Sequence, residues 1–221
     1  GNRFDLTQWD PAYFARLKDF LHQAADRGIV VEVTLFCPFY NDELWLASPM
    51  NARNNINEIG NCQREQVYTL QHAELLQVQL AVTQKIVQEL SDFDNLYYEV
   101  CNEPYFGGVT QQWQHRIVDV IVETESQLAR QHLISLNIAN GRQKVVDPHR
   151  RVSIFNFHYC TPPDVVAMNY SLNKVIGENE TGFRGQDDLI YRSEGWDFLL
   201  AGGGLYNNLD YSFTPGHPDG R

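Results

Sequence analysis

Leu96-Tyr97-Tyr98-Glu99-Val100-Cys101 runs directly into Asn102-Glu103-Pro104. The first six residues are apolar or aromatic apart from Glu99. They lack the alternation of a half-exposed strand and read as a β-strand covered on both faces. Pro104 has no N–H for a ladder and closes the segment. Glu103 therefore stands just past the C-terminal end of a strand, with the amide of Asn102 beside it.

Working outward, the same grammar repeats. Asp10-Pro11 supplies an N-cap and a proline at the first helical position, and Phe14, Leu17, Leu21 and Ala24 follow at helical spacing until Gly28. Residues 29–36, rich in β-branched side chains, predict a buried strand. Residues 37–66 predict an irregular segment long enough to be a functional loop. Helices are expected over 72–90, 112–129 and 189–201. Strands are expected over 133–138, 152–157, 174–177 and 205–213. Trp113 and Trp196 fall at core spacing on their helices and read as packing residues. Alternating strands and helices predict an α/β protein with a parallel sheet. No repeat and no linker divides the chain, which reads as one domain over residues 1–221. An open nucleotide-binding sheet should carry a Gly-rich first turn. The glycine run Gly202-Gly203-Gly204 instead follows a helix and reads as a helix stop or a close packing point. Polar residues gather just after strands, which favours a (β/α)8 barrel of the TIM type.

A second carboxylate should come from another strand end, and Ile176-Gly177-Glu178-Asn179-Glu180-Thr181-Gly182 offers two. Glu178 and Glu180 point the same way in an extended chain, so periodicity does not choose between them. With Asn102-Glu103-Pro104 and Glu180-Thr181-Gly182 both behind strands, the sequence resembles the clan A retaining glycoside hydrolases, the β/α-barrel enzymes that include the family 5 cellulases and mannanases. The resemblance implies that Glu103 is the acid/base after barrel strand four. It implies that Glu180, next to its Thr-Gly pair, is the nucleophile after strand seven. Asn102 would bond a sugar hydroxyl, and His158-Tyr159, after the expected sixth strand, would lie near the nucleophile. The reaction needs two carboxyl groups roughly 5–5.5 Å apart, and such proximity raises one pKa, dividing acid from nucleophile. Sugar rings stack on aromatic planes, which makes Tyr40, Trp45, Tyr159 and Tyr206 candidate substrate contacts, with Phe36, Phe39, Tyr105 and Phe106 also near the expected rim.

The rest of the composition narrows the partners. The 221 residues carry a formal net charge of −11, so nucleic acid and anionic membranes are not expected partners. No run of eighteen apolar residues occurs, so no membrane span is expected. The histidines show no metal-ligand spacing, and no Ser elbow is present. Neither a metal nor a cofactor is expected, and the expected partner is a carbohydrate. Cys37, Cys62, Cys101 and Cys160 form no CxxC pair and read as free, buried thiols. The chain opens Gly1-Asn2-Arg3-Phe4-Asp5 with no leader; localisation stays open, with a secreted or periplasmic site compatible. If residues 29–36 are barrel strand three, strands three to eight are present and strands one and two are not. Such a partial barrel exposes strand edges. The expectation is that association of copies, or a piece of polypeptide lost from the front, completes it. The alternative to a glycosidase is a carbohydrate-binding protein on a degenerate barrel.

Overall fold

The structure is a computed structural model that describes residues 3–185 and 187–208. The described residues divide into two compact units, one of residues 3–135 with 149–152 and the other of residues 136–148 with 153–208.

The first unit begins with α1 (Pro11–Ala25), whose N-cap Asp10 accepts the amide of Ala12 and which buries Phe14, Leu21 and Ala24 along one face. It continues through β1 (Val31–Phe36), α2 (Asp42–Ala47), α3 (Ala73–Glu89), β2 (Leu96–Cys101) and α4 (Gln111–Glu125). β1 and β2 run parallel, with Val31 opposite Leu96 and Phe36 opposite Cys101. Every residue of β2 is buried, as expected of a strand covered on both faces. β3 (Ile134–Asn140) starts in this unit, where Tyr98 and Glu99 pair in parallel with Ile134 and Ser135, and it ends in the other. The second unit adds β4 (Ile154–His158), α5 (Asp164–Asn169), β5 (Val175–Glu180), α6 (Asp188–Leu200) and β6 (Leu205–Tyr206). β4 with β5 and β5 with β6 are again parallel, and strand order follows chain order from β1 to β6. The α/β class with a parallel sheet is what the sequence predicts.

Several expectations need correction. Residues 37–66 are not wholly irregular: Asn41 accepts the amide of Leu44 and starts α2, and a 3₁₀ turn covers Arg64–Gln66. α5 follows Pro163, in a stretch with no predicted element. Both helices have six residues, too few for a 3.6-residue period to show. β5 extends to Glu180, because the ladder with β4 absorbs one extra residue: Phe157 opposes Glu178 and His158 opposes Glu180. Trp196 does not pack; it is 61% exposed, and α6 buries Glu194, Gly195 and Phe198 instead. Gly195 faces the Tyr206 ring so closely that an added Cβ would sit 2.8 Å from it. β6 ends at Tyr206, and residues 209–213 of the predicted last strand lie outside the described residues.

Trp113 does pack. It is fully buried on α4, and its indole Nε1 donates to Gln79 Oε1 on α3 at 2.7 Å. Gln79, equally buried, donates its Nε2 to the carbonyl of Val67 at 3.0 Å. One amide thus satisfies a donor and an acceptor that would otherwise be stranded in the α3–α4 contact. Leaving a buried polar group unpaired costs about 1–3 kcal/mol. Gln79→Leu, which keeps the volume and strands both partners, is expected to lower unfolding free energy by about 2–4 kcal/mol in urea melts. A loss below about 0.5 kcal/mol would contradict this account.

Candidate active site

In the first unit, β2 ends at Cys101 and the chain turns sharply. Glu103 has φ 42°, a left-handed conformation that side chains other than glycine seldom adopt. Backbone bonds hold the turn: Asn102 N–H donates to the Phe36 carbonyl at 3.0 Å, and Phe106 N–H donates to the Glu103 carbonyl at 3.0 Å. The Glu103 carboxylate then accepts the Tyr40 hydroxyl at 2.6 Å and the Tyr105 hydroxyl at 3.3 Å. The Tyr40 oxygen in turn accepts the Asn102 amide at 3.2 Å and the Cys37 thiol at 3.6 Å. Asn102, Glu103 and Tyr40 are therefore gathered into one cluster. Burial, followed by the bond to Glu103, pushes the Tyr40 phenol well above its ordinary range.

Trp45 is not part of that cluster. It is 3% exposed, its indole nitrogen donates to the Cys62 carbonyl at 2.9 Å, and its ring packs on Phe39. Its exposed area is too small for a stacking platform. Phe36 is buried against Tyr68 and Trp113. All four cysteines are free thiols, with Cys101 and Cys160 buried, Cys62 half-buried and Cys37 exposed rather than buried as expected.

In the second unit, β4 ends at His158 and Tyr159 takes up φ 53°. Tyr159 binds Glu180 twice: its N–H donates to the Glu180 carbonyl at 2.9 Å, and its hydroxyl donates to Glu180 Oε1 at 2.7 Å. His158 is fully buried, with Nδ1 3.7 Å from Glu180 Oε2. Tyr206 is half-buried, and its hydroxyl donates to the Tyr191 carbonyl at 3.3 Å; its ring lies against α6. The structure brings His158, Tyr159 and Glu180 together and gives Tyr206 a separate role under α6.

The extra residue in β5 separates the two carboxylates that periodicity leaves equivalent. A bulge of this kind re-aims the side chains that follow it. Glu178, 1% exposed, accepts the Cys160 N–H at 2.7 Å, whereas Glu180 remains partly open beside Tyr159. Burial pushes the Glu178 carboxyl up, the Cys160 N–H opposes that, and the nearby Glu194 carboxylate adds to it, so that it titrates at about 7. Gly177 is required next to this point: an added Cβ would lie 2.2 Å from the Asn156 side-chain oxygen. By residue type, the tyrosine partners of Glu103 and Glu180 read as sugar-stacking rings. Nothing in residue type reveals that their hydroxyls are spent on carboxylates.

Three solved structures share this parallel α/β fold. A candidate glycoside hydrolase from Bacteroides vulgatus superposes with TM-score 0.68 at 16% identity, over 93% of this chain and 37% of that one. Endo-glycoceramidase II from Rhodococcus sp., as its lactosyl-enzyme intermediate, gives TM-score 0.64 at 17% identity, over 97% of this chain and 64% of that one. Cel5A from Thermotoga maritima, in complex with mannotriose, gives TM-score 0.61 at 16% identity, over 95% of this chain and 75% of that one. The chain thus spans between about a third and three quarters of the length of these structures. No protein-family model and no curated protein sequence matches it. The fold is that of these glycoside hydrolase structures, with six parallel strands among the described residues.

The Tyr40 hydroxyl is expected to keep its proton past the point where exposed phenols ionise, at about pH 10. Spectrophotometric titration of Tyr40→Phe should then show as many phenolates forming between about pH 9 and pH 11 as the wild type. Loss of one phenolate in that interval would contradict the bond to Glu103.

Proposed function

We propose that this protein is a retaining glycoside hydrolase that cleaves β-glycosidic bonds of oligo- or polysaccharides by double displacement. Glu103 acts as acid/base and Glu180 as nucleophile. The observation that carries this reading is that each carboxylate stands at the C-terminal end of its own parallel strand and is aimed by a tyrosine hydroxyl. A barrel builds its chemistry at those strand ends. One structural neighbour, the endo-glycoceramidase, is known as a lactosyl-enzyme intermediate, the kind of covalent species that double displacement requires.

In the first step Glu180 attacks the anomeric carbon while protonated Glu103 gives its proton to the leaving oxygen. In the second, Glu103 takes a proton from water, which attacks the same carbon and releases Glu180. Tyr159 would hold the nucleophile's Oε1 and leave Oε2 for the sugar. Tyr40 would steady one oxygen of Glu103, with Asn102 locking Tyr40 in turn. Asn102 is also the group closest in kind to a partner for a sugar hydroxyl. His158, buried beside Glu180, would fix the direction of that carboxylate. Tyr206 and Trp45, occupied by packing, carry less of the substrate than the sequence suggests.

The test is turnover on a panel of aryl β-glycosides, with the anomer of the first product followed by proton NMR. The wild type is expected to release the β-anomer first. Glu103→Gln is expected to lower kcat by about 10²- to 10⁴-fold, the usual contribution of a positioned proton donor. Glu180→Gln removes the nucleophile and is expected to abolish turnover. A first product of inverted configuration would sink double displacement. Sugar binding by a folded wild type without turnover would favour a carbohydrate-binding role instead. Full activity in Glu180→Gln, with loss in Glu178→Gln, would move the nucleophile to residue 178.

A further inference from the structure

Two carboxylates in the second unit are left over by the proposed chemistry. Glu178 on β5 is 1% exposed and Glu194 on α6 is 5% exposed. Each engages one oxygen in hydrogen bonds. Glu178 Oε1 accepts the Cys160 N–H. Glu194 Oε1 accepts two hydroxyls, a short bond from Thr161 and one of 2.8 Å from Thr181. The second oxygens, Glu178 Oε2 and Glu194 Oε2, are both buried and accept no hydrogen bond from the described residues. Among the described residues the cation paired with Glu194 is Arg184, whose Nη1 is 3.8 Å from Oε2.

The placement of the two threonines gives this pair a role. Thr181 directly follows Glu180 in the chain. Thr161 lies two residues beyond Tyr159, which binds the Glu180 backbone and side chain. A single oxygen of Glu194 therefore ties α6 to the segment that carries Glu180 and to the segment that aims it. The Cys160–Glu178 bond joins those two segments again from below. We propose that Glu194 is a positioning residue for the Glu180 carboxylate, and that the clamp it forms holds only while Glu178, buried beside it, keeps its proton. The role of the clamp rests on the assignment of Glu180 as nucleophile.

The charge balance follows from the groups that face the pair. From the β4 side comes the Cys160 thiol, itself pushed above its ordinary range by burial and by both carboxylates. From β6 comes the Tyr206 phenol, held up first by burial and then by Glu194 and Glu178. Tyr191 on α6 bonds the Gly185 carbonyl, and Arg184 is the one cation that faces the pair among the described residues. His158 and Glu180 follow Phe157 and Asn179 on the flanking strand ends. With a neutral Glu178, the Glu194 carboxylate faces Arg184 alone, at 3.8 Å, among the described cations. Loss of the Glu178 proton adds a second negative charge with no donor to its Oε2 among the described residues. Like charges buried together repel, and once neither carboxyl holds a proton the repulsion favours their moving apart. Separation of α6 from β5 would release Thr161 and Thr181 from Glu194. The sign is that of a carboxyl raised in the folded state. Its stabilisation is complete below the ordinary carboxyl value and is lost as pH climbs toward about 7.

The experiment compares wild type, Glu178→Gln, Glu194→Gln and Glu194→Ala by melting temperature from pH 5 to 8 and by the pH dependence of kcat on an aryl β-glycoside. The wild type should lose at least about 4 °C more than Glu178→Gln over that pH range. The alkaline limb of kcat should move up by about one pH unit or more in Glu178→Gln. Glu194→Ala should lose about 100-fold in kcat, as misplaced catalytic groups do. Glu194→Gln, whose amide oxygen still accepts both hydroxyls, should recover most of it. An active wild type whose alkaline limb is unmoved in Glu178→Gln overturns the proposal and leaves the glycosidase reading intact. Parallel melting profiles for wild type and Glu178→Gln overturn it as well, with or without turnover. A wild type with no turnover removes the glycosidase reading, and with it the clamp's role in positioning a nucleophile.

Discussion

A strand buried on both faces can offer a carboxylate to solvent only where it stops. β2 has no exposed residue along its length, and the parallel ladder on it runs from Leu96 to Cys101. The polar residues Asn102 and Glu103 come immediately after, where the ladder has ended. The turn there is tight enough to force Glu103 into the left-handed region, and Tyr159 repeats that conformation just after β4. A non-glycine residue held so costs on the order of 1–3 kcal/mol. Such conformations persist where neighbouring bonds over-determine them, as the bonds of Asn102, Phe106 and Tyr159 do here. The direction of each carboxylate is thus a consequence of how its strand terminates.

β5 shows how one residue can divide two identical side chains. Without the extra residue opposite the Phe157–His158 step, Glu178 and Glu180 would share a face and an environment. With it, Glu178 sinks against the Cys160 N–H and approaches neutrality near pH 7, while Glu180 stays within reach of solvent beside a tyrosine hydroxyl. Paired environments that push like groups apart are how acid and base roles are separated in enzymes. Here the same device leaves one carboxylate partly open beside a tyrosine hydroxyl and buries the other against a backbone N–H.

The aromatic side chains of the first unit illustrate a limit on composition arguments. Twelve per cent of the chain is aromatic, which invites a reading in terms of sugar stacking. Phe36, Phe39, Trp45, Tyr68 and Trp113 instead pack on one another, with Phe39 and Tyr68 stacked at 5.7 Å. The polar ends of Trp45 and Trp113 are taken up by the Cys62 carbonyl and by Gln79. Tyr40, Tyr105 and Tyr159, placed just after a strand or in its following loop, bring a hydroxyl to a carboxylate, as Tyr97 does to Glu32 between β2 and β1.

The parallel α/β architecture was legible in the order of apolar runs and amphipathic stretches, because burial on both faces and helical crossovers each impose a period on residue type. So was the position of Glu103, since Pro104 marks where the strand must end. The short helices α2 and α5 were not legible, because six residues hold less than two turns. Nor was the partition of Glu178 from Glu180, because a bulge is a property of two strands in register and leaves no mark on one of them. The opening stretch, Leu96 to Pro104, thus determined by itself that a carboxylate would stand at a strand end. That Tyr40 and Tyr105 would aim it, that Tyr159 would aim Glu180, and that Glu194 would gather Thr161 and Thr181 were decided by tertiary structure alone. Those partners are tens of residues distant in several cases, and only packing determines which hydroxyl meets which carboxylate.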